Sequence, residues 1–163
     1  IGWGWKEPNT HIYIELLDKY FQNLKYIHLI RHGIDMAYSS NQSQVYNWGM
    51  MFGIKADDPS TPLPKLSLKY WNKANRRAID FGHKLLGERF LVVNFDKLCM
   101  NPWCEIERLI DFLGIDPKHI NIHELVKLPK SPDSAGRYKK YDLSIFERDE
   151  IEAVRELGFT VDM

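Results

Sequence analysis

The sequence predicts an α/β fold, a parallel sheet flanked by helices, and two observations carry that prediction. Two short stretches rich in β-branched and aromatic residues, 25–30 and 89–95, have the length and composition of buried strands. Longer segments with helical periodicity lie between and after them, and strands separated by helices of about ten or more residues pair in parallel. Ligands of such a sheet gather beyond the carboxyl ends of its strands, which directs attention to residues 31–39 and 94–97.

The elements follow in order. Thr10 is a suitable N-cap, and Ile12, Leu16, Leu17, Tyr20 and Phe21 fall on one face of a first helix ending near Gln22. Lys25-Tyr26-Ile27-His28-Leu29-Ile30 then reads as a strand stopped by Arg31-His32-Gly33, with a second helix from about Gly33 to Asn41. Residues 42–65 hold Gly49, Gly53, Pro59, Pro62 and Pro64 without sustained period, an irregular excursion whose Tyr46, Trp48, Met50, Met51 and Phe52 suit either the wall of an acceptor pocket or a cap on the core. From Leu66, the residues Trp71, Ala74, Ala78, Phe81 and Leu85 mark one face of a long helix, with Lys and Arg around the rest. The second strand follows. Asn101-Pro102 then opens a helix with Ile106, Leu109, Ile110 and Leu113 inward and Gly114 as its stop. Ser144-Ile145-Phe146-Glu147 reads as a capping box for a last helix closing at Gly158.

Composition narrows the functional classes. At 163 residues, 44% hydrophobic and 27% charged, the chain is sized and composed as a single globular domain, 1–163. Twenty-two basic against 22 acidic residues give no net charge, so the field that a general nucleic-acid binder needs is absent and any polyanion site is local. The two cysteines, Cys99 and Cys104, are expected as buried thiols rather than a disulfide framework. His119 and His123 stand four apart but have no third ligand in sight, so no metal is expected. No apolar run approaches the roughly 18 residues of a membrane span, and no basic-then-apolar leader opens the chain; the expected location is cytoplasmic.

Arg31 leaves the first strand at the ligand edge, and Ser39 follows within about 9 Å of helix at ~1.5 Å per residue. One phosphate can touch both: the guanidinium offers a planar fork, the hydroxyl a neutral donor, and a helix start adds partial positive charge. A solvated or salt-bridged surface arginine fits the same spacing.

Residues 26–39, Tyr26-Ile27-His28-Leu29-Ile30-Arg31-His32-Gly33-Ile34-Asp35-Met36-Ala37-Tyr38-Ser39, resemble the 3′-phosphate-binding strand-loop-helix of sulfotransferases that use 3′-phosphoadenosine 5′-phosphosulfate. Gly4-Trp5-Lys6-Glu7-Pro8 looks like the family's strand end with a lysine near the transferring group, and residues 90–98 with Pro102 and Phe112-Leu113-Gly114 are similar to its later strand and helix. The resemblance implies a P-loop NTPase-like fold. It assigns the 3′-phosphate to Arg31 and Ser39 and a charge near the sulfuryl group to Lys6, with the acceptor's base left open between Glu7 and His11. Phe95 suits either adenine stacking or the core. Gly136-Arg137-Tyr138-Lys139 looks like the loop that closes over the nucleotide, with Gly136 admitting backbone to the phosphate and Arg137 touching it, although Ser131, Pro132 and Asp133 replace the basic residues of the cytosolic branch.

The family's first strand and glycine-rich phosphosulfate loop precede this lysine by several tens of residues. Only five residues precede Lys6 here, so the reading is of an N-terminally incomplete portion of the fold, inactive or weakly active alone. The implied function is sulfuryl transfer from the nucleotide donor to a hydroxyl or amine acceptor, among them small hydroxyl compounds, sugars and lipids. A catalytically silent nucleotide-binding module and an interaction domain without nucleotide binding remain as alternatives.

Overall fold

A computed structural model describes residues 2–162. Strand β1 (Tyr26–Ile30) and strand β2 (Phe90–Asn94) pair in parallel, in register from Tyr26 opposite Phe90 to Ile30 opposite Asn94. The connection between them contains α2 (Gly33–Ala37), α3 (Ser43–Trp48) and α4 (Leu63–Leu86), while α1 (Ile14–Tyr20) precedes β1. After β2 come α5 (Phe95–Met100), α6 (Pro102–Leu113), α7 (Ile122–Leu125) and α8 (Arg148–Glu156). Parallel strands with helical crossover are what the alternating pattern predicted.

Helix α4 organises the packing. Leu66, Leu68, Tyr70, Trp71, Ala74 and Ala78 are buried along it, and it meets α1, α2, both strands and α8. Two glycines permit the close approaches. A Cβ on Gly82 would collide with the Phe90 ring, and one on Gly33 would sit 2.8 Å from the Trp71 ring, so α4 lies against β2 and α2 only because both side chains are hydrogen atoms. One apolar cluster joins Ile30, Ile34, Leu68 and Trp71 to Tyr138, Phe146, Ile151 and Val154. Each such side chain contributes roughly 1.5–3 kcal/mol of burial. Through this cluster the C-terminal segment is fastened over the end of β1.

Several expectations are corrected. Thr10 does not cap the first helix: its hydroxyl donates to the Glu7 carbonyl at 2.8 Å, and a 3-10 turn over Thr10–Ile12 precedes α1. The tighter turn shifts the helical phase. Ile14 therefore takes the buried position while Leu16 and Tyr20 are exposed. The second helix stops at Ala37 rather than Asn41, because the Gln42 side-chain amide donates to the carbonyls of Ala37 and Ser39 at 2.9 and 2.7 Å and caps it. The first half of residues 42–65 is not irregular. Helix α3 and a 3-10 turn over Gly49–Phe52 form there because Val45 and Ile54 pack on Leu66, Tyr70 and Ala74. The last capping box uses Glu147 and Glu150 rather than Ser144, whose N–H and hydroxyl are both held by Asp142. Cys99 is half-buried and Cys104 exposed, since α6 turns Ile106 and Ile110 inward instead; Leu113 is also exposed.

Candidate functional site

Ile30 is the last residue of β1, and the chain leaves it through Arg31 and His32 into α2. His32 is the N-cap of α2. Its Nδ1 accepts from the Asp35 N–H at 3.4 Å and its Nε2 lies 3.0 Å from the Thr160 carbonyl, a pair of contacts satisfied by the tautomer protonated at Nε2. The Tyr138 ring stacks on His32 at 4.6 Å. Helix α2 has only five residues, so its start adds little of the positive charge expected from the sequence.

Asp35 ties two distant segments together. Its carboxylate is buried, and its oxygens accept the N–H groups of Gly136 at 2.7 Å and Tyr138 at 2.9 Å. Gly136 has φ of +73°, the left-handed conformation that lets the two N–H groups point back at one carboxylate. With the segment around 131–141 held this way, Arg137 reaches the C-cap of α2, its Nη1 donating to the Tyr38 carbonyl at 3.3 Å, while its Nε donates within its own segment to the Ser134 carbonyl at 3.3 Å. Arg31 Nη2 lies 3.5 Å from the Ser134 hydroxyl. Two guanidiniums from opposite ends of the chain thus converge on Ser134. Ser39 follows Tyr38 directly and its hydroxyl accepts from the Asn41 N–H at 3.3 Å, which leaves the hydroxyl proton to donate elsewhere.

The other face of Arg31 meets the end of β2. Its guanidinium lies 5.5 Å from the centre of the Phe95 ring, a cation–π contact. Phe95 opens α5 instead of ending the strand, because the Asn94 side chain caps that helix by accepting from Asp96 and Lys97. Burial pushes the Asp96 carboxyl up, with the nearby His32 and Arg31 opposing the shift and Asp35 adding to it. Around Ser134 two arginines therefore stand near one committed carboxylate, Asp35, and one whose charge is disfavoured, Asp96.

Lys6, Glu7 and His11 are placed differently. Lys6 and Glu7 are exposed, and the Glu7 carboxylate accepts from the Asn9 N–H at 3.0 Å. His11 is buried, with its carbonyl accepting from Arg77 at 3.0 Å and its ring 6.2 Å from that of His28. Burial, then the His28 and Arg77 charges, lower its pKa to about 4. Among the described residues no hydrogen bond or ion pair joins these three to Arg31, Ser39, Gly136 or Arg137. Beside Lys6, Trp3 stacks on Trp5 and Phe21 meets Trp3 edge-on, along a cavity of 410 Å³.

A family model described as "Sulfotransferase family" matches residues 2–119, more than two thirds of the chain. The chain belongs to the sulfotransferase family. No curated protein and no solved structure matches. The family match contains β1, α2 and β2 and therefore Arg31, Ser39 and Phe95, whereas Gly136 and Arg137 lie beyond it and are joined to the α2 segment by geometry alone. Among the described residues no group of three or more His, Cys, Asp or Glu side chains is arranged to hold a metal, and no helix is long and apolar enough to cross a membrane.

Sequence reasoning missed Asp35 and Ser134. An acid in the first turn of a short helix reads as a solvated charge, and its partners stand more than 100 residues away. The one local signal was Gly136, a glycine at a position that needs positive φ.

Proposed function

We propose that this chain binds 3′-phosphoadenosine 5′-phosphosulfate and its product adenosine 3′,5′-bisphosphate, and serves sulfuryl transfer to a hydroxyl or amine acceptor within a P-loop NTPase-like fold. The observation that supports the reading is the approach of Arg31 and Arg137 to Ser134, with Arg137 also donating to the carbonyl of Tyr38, the residue before Ser39; two forked cations are suited to one phosphate, and the Ser39 hydroxyl keeps a proton to donate. Arg31 and Arg137 bind the 3′-phosphate oxygens, Ser39 donates to a third, and Gly136 keeps backbone rather than side chain beside the anion. The Phe95 ring offers a face to adenine.

In the transfer, the acceptor oxygen or nitrogen bonds to sulfur while the bond from sulfur to the 5′-phosphate oxygen breaks, and the acceptor proton leaves to a base. Charge spreads over the sulfuryl oxygens, so fixed positive charge and positioning carry the rate. Lys6 is the residue assigned to that charge. Of the two bases, Glu7 is exposed, whereas His11 with a pKa of about 4 is a weak acceptor of a proton at neutral pH. The acceptor class is small hydroxyl compounds, sugars or lipids.

Thermal melting with adenosine 3′,5′-bisphosphate tests the reading. A ligand at 100 times its dissociation constant stabilises by about 2.7 kcal/mol, an upward shift of several degrees for a domain of this size. An unchanged melting temperature at millimolar bisphosphate defeats the proposal.

A further inference from the structure

A cavity of 790 Å³ lies between α8 and the segment that follows Gly136. Its volume falls within the roughly 300–1,000 Å³ of small-molecule sites. The apolar walls are Tyr138, Phe146 and Ile151, all buried, with Leu143 half-buried beside them. Tyr141 completes them, held flat on the Tyr38 ring at 4.0 Å and 3° so that a planar face is presented.

The charges at the rim are mostly committed. Lys139 pairs with Asp162 at 2.8 Å, Arg155 pairs with Glu152 at 3.3 Å and donates to the Val161 carbonyl, and Asp142 accepts both donors of Ser144. Arg148 differs. It is exposed, and the acids around it are engaged elsewhere: Glu147 by Lys65 at 2.6 Å, Glu152 by Arg155, and Asp149 by the Glu150 N–H at 2.9 Å. The cavity thus has apolar, partly planar walls and, among the described residues at its rim, one cation without an ion pair, Arg148. Asp142 and Asp162 at the same rim disfavour a polyanion.

We infer that this cavity is a binding site for a small amphipathic monoanion, a planar apolar body with a single carboxylate-like head that pairs with Arg148. It is separate from the 3′-phosphate cluster, yet the two share Tyr138. Tyr138 lines the cavity and its ring stacks on His32, while its N–H is held by Asp35. An occupant packed on Tyr138 stiffens the segment that carries Gly136 and Arg137, and therefore tightens the nucleotide site. That coupling rests on the proposed function; the cavity's own chemistry does not.

The test is calorimetric titration with 2-naphthoate and its neutral counterpart 2-naphthamide. Naphthoate is expected to bind fivefold to tenfold more tightly, the screened worth of one exposed charge contact. Arg148→Gln should remove that advantage while leaving naphthamide unchanged, and Ser144→Trp, which fills the cavity, should weaken both. Equal binding of the two probes, or an advantage that survives Arg148→Gln, overturns the site. Should Ser144→Trp disturb folding, the surface variant still decides. Saturating naphthoate is further expected to raise affinity for adenosine 3′,5′-bisphosphate by a few fold, and an unchanged affinity overturns the coupling. Failure of the bisphosphate to bind at all would reject the proposed function, with the naphthoate comparison standing independently.

Discussion

Replacing Asp35 by Asn separates two effects of opposite sign. The carboxylate receives the Gly136 and Tyr138 N–H groups at 2.7 and 2.9 Å while buried to all but 8%. Hydrogen bonds to a charged group are worth about 1.5–3 kcal/mol each. Asparagine keeps one acceptor oxygen but turns an NH2 toward the other N–H, so one bond becomes neutral and one buried donor loses its partner, at a cost of about 1–3 kcal/mol. The combined loss is about 2–4 kcal/mol, concentrated in the 131–141 segment. Removing a negative charge beside two arginines would, by field alone, tighten anion binding. Loss of order should win, because Arg137 reaches the Tyr38 carbonyl only while the segment is tied down. The expected result is faster amide exchange at Gly136 and Tyr138, together with at least a fivefold loss of bisphosphate affinity. Unchanged protection at those two amides, or tighter binding, would show that Asp35 acts as a charge and not as a tether.

Three further outcomes are expected. Ser39→Ala should weaken bisphosphate binding by about 0.5–1.5 kcal/mol and spare adenosine 5′-phosphate, since a neutral hydroxyl donor specific to the 3′ group is lost; calorimetry of both nucleotides checks it. Gly82→Ala should destabilise by about 1–3 kcal/mol in urea unfolding, because the new Cβ collides with the Phe90 ring where α4 packs on β2. The buried His11 has its pKa lowered from 6.5 to about 4 in the folded chain, so the unfolded chain binds the proton first as pH falls. Its contribution is whole above pH ~6.5 and is lost as pH falls to about 4, up to roughly 3 kcal/mol. Urea unfolding at pH 7.5 and 4.5 should show this slope, shallower in His11→Gln, with His28, whose pKa burial also lowers, supplying part of what remains.

What could be read in advance depended on whether the signal was local. Both strands and α4 were legible because β-branched runs and an unbroken helical period are properties of neighbouring residues. The position of Arg31 just past a strand end was legible for the same reason, whereas the helix expected to carry Ser39 ends at Ala37, before it. Helix α3 was not, since its stability comes from Val45 and Ile54 resting on α4 rather than from a period of its own. Phe95 was assigned to the strand end because the Asn94 cap that starts α5 looks like one more strand residue in sequence. The Asp35 tether and the meeting of Arg31 with Arg137 at Ser134 were invisible for a stronger reason: each joins residues about 100 apart, and nothing in either segment names the other.

The central claim is that Arg31 holds a 3′-phosphate, and calorimetric titration of Arg31→Ala with two nucleotides tests it most directly. The lost contact is charge-assisted, but the side chain is only half-buried and keeps Arg137 as a neighbour cation. A loss of about 1.5–2 kcal/mol, ten- to thirtyfold in affinity, is therefore expected for adenosine 3′,5′-bisphosphate. Adenosine 5′-phosphate, which lacks the 3′ group, should change by less than about twofold. An equal loss for both nucleotides would contradict the account and make Arg31 a support for the Phe95 and Ser134 contacts rather than a phosphate ligand.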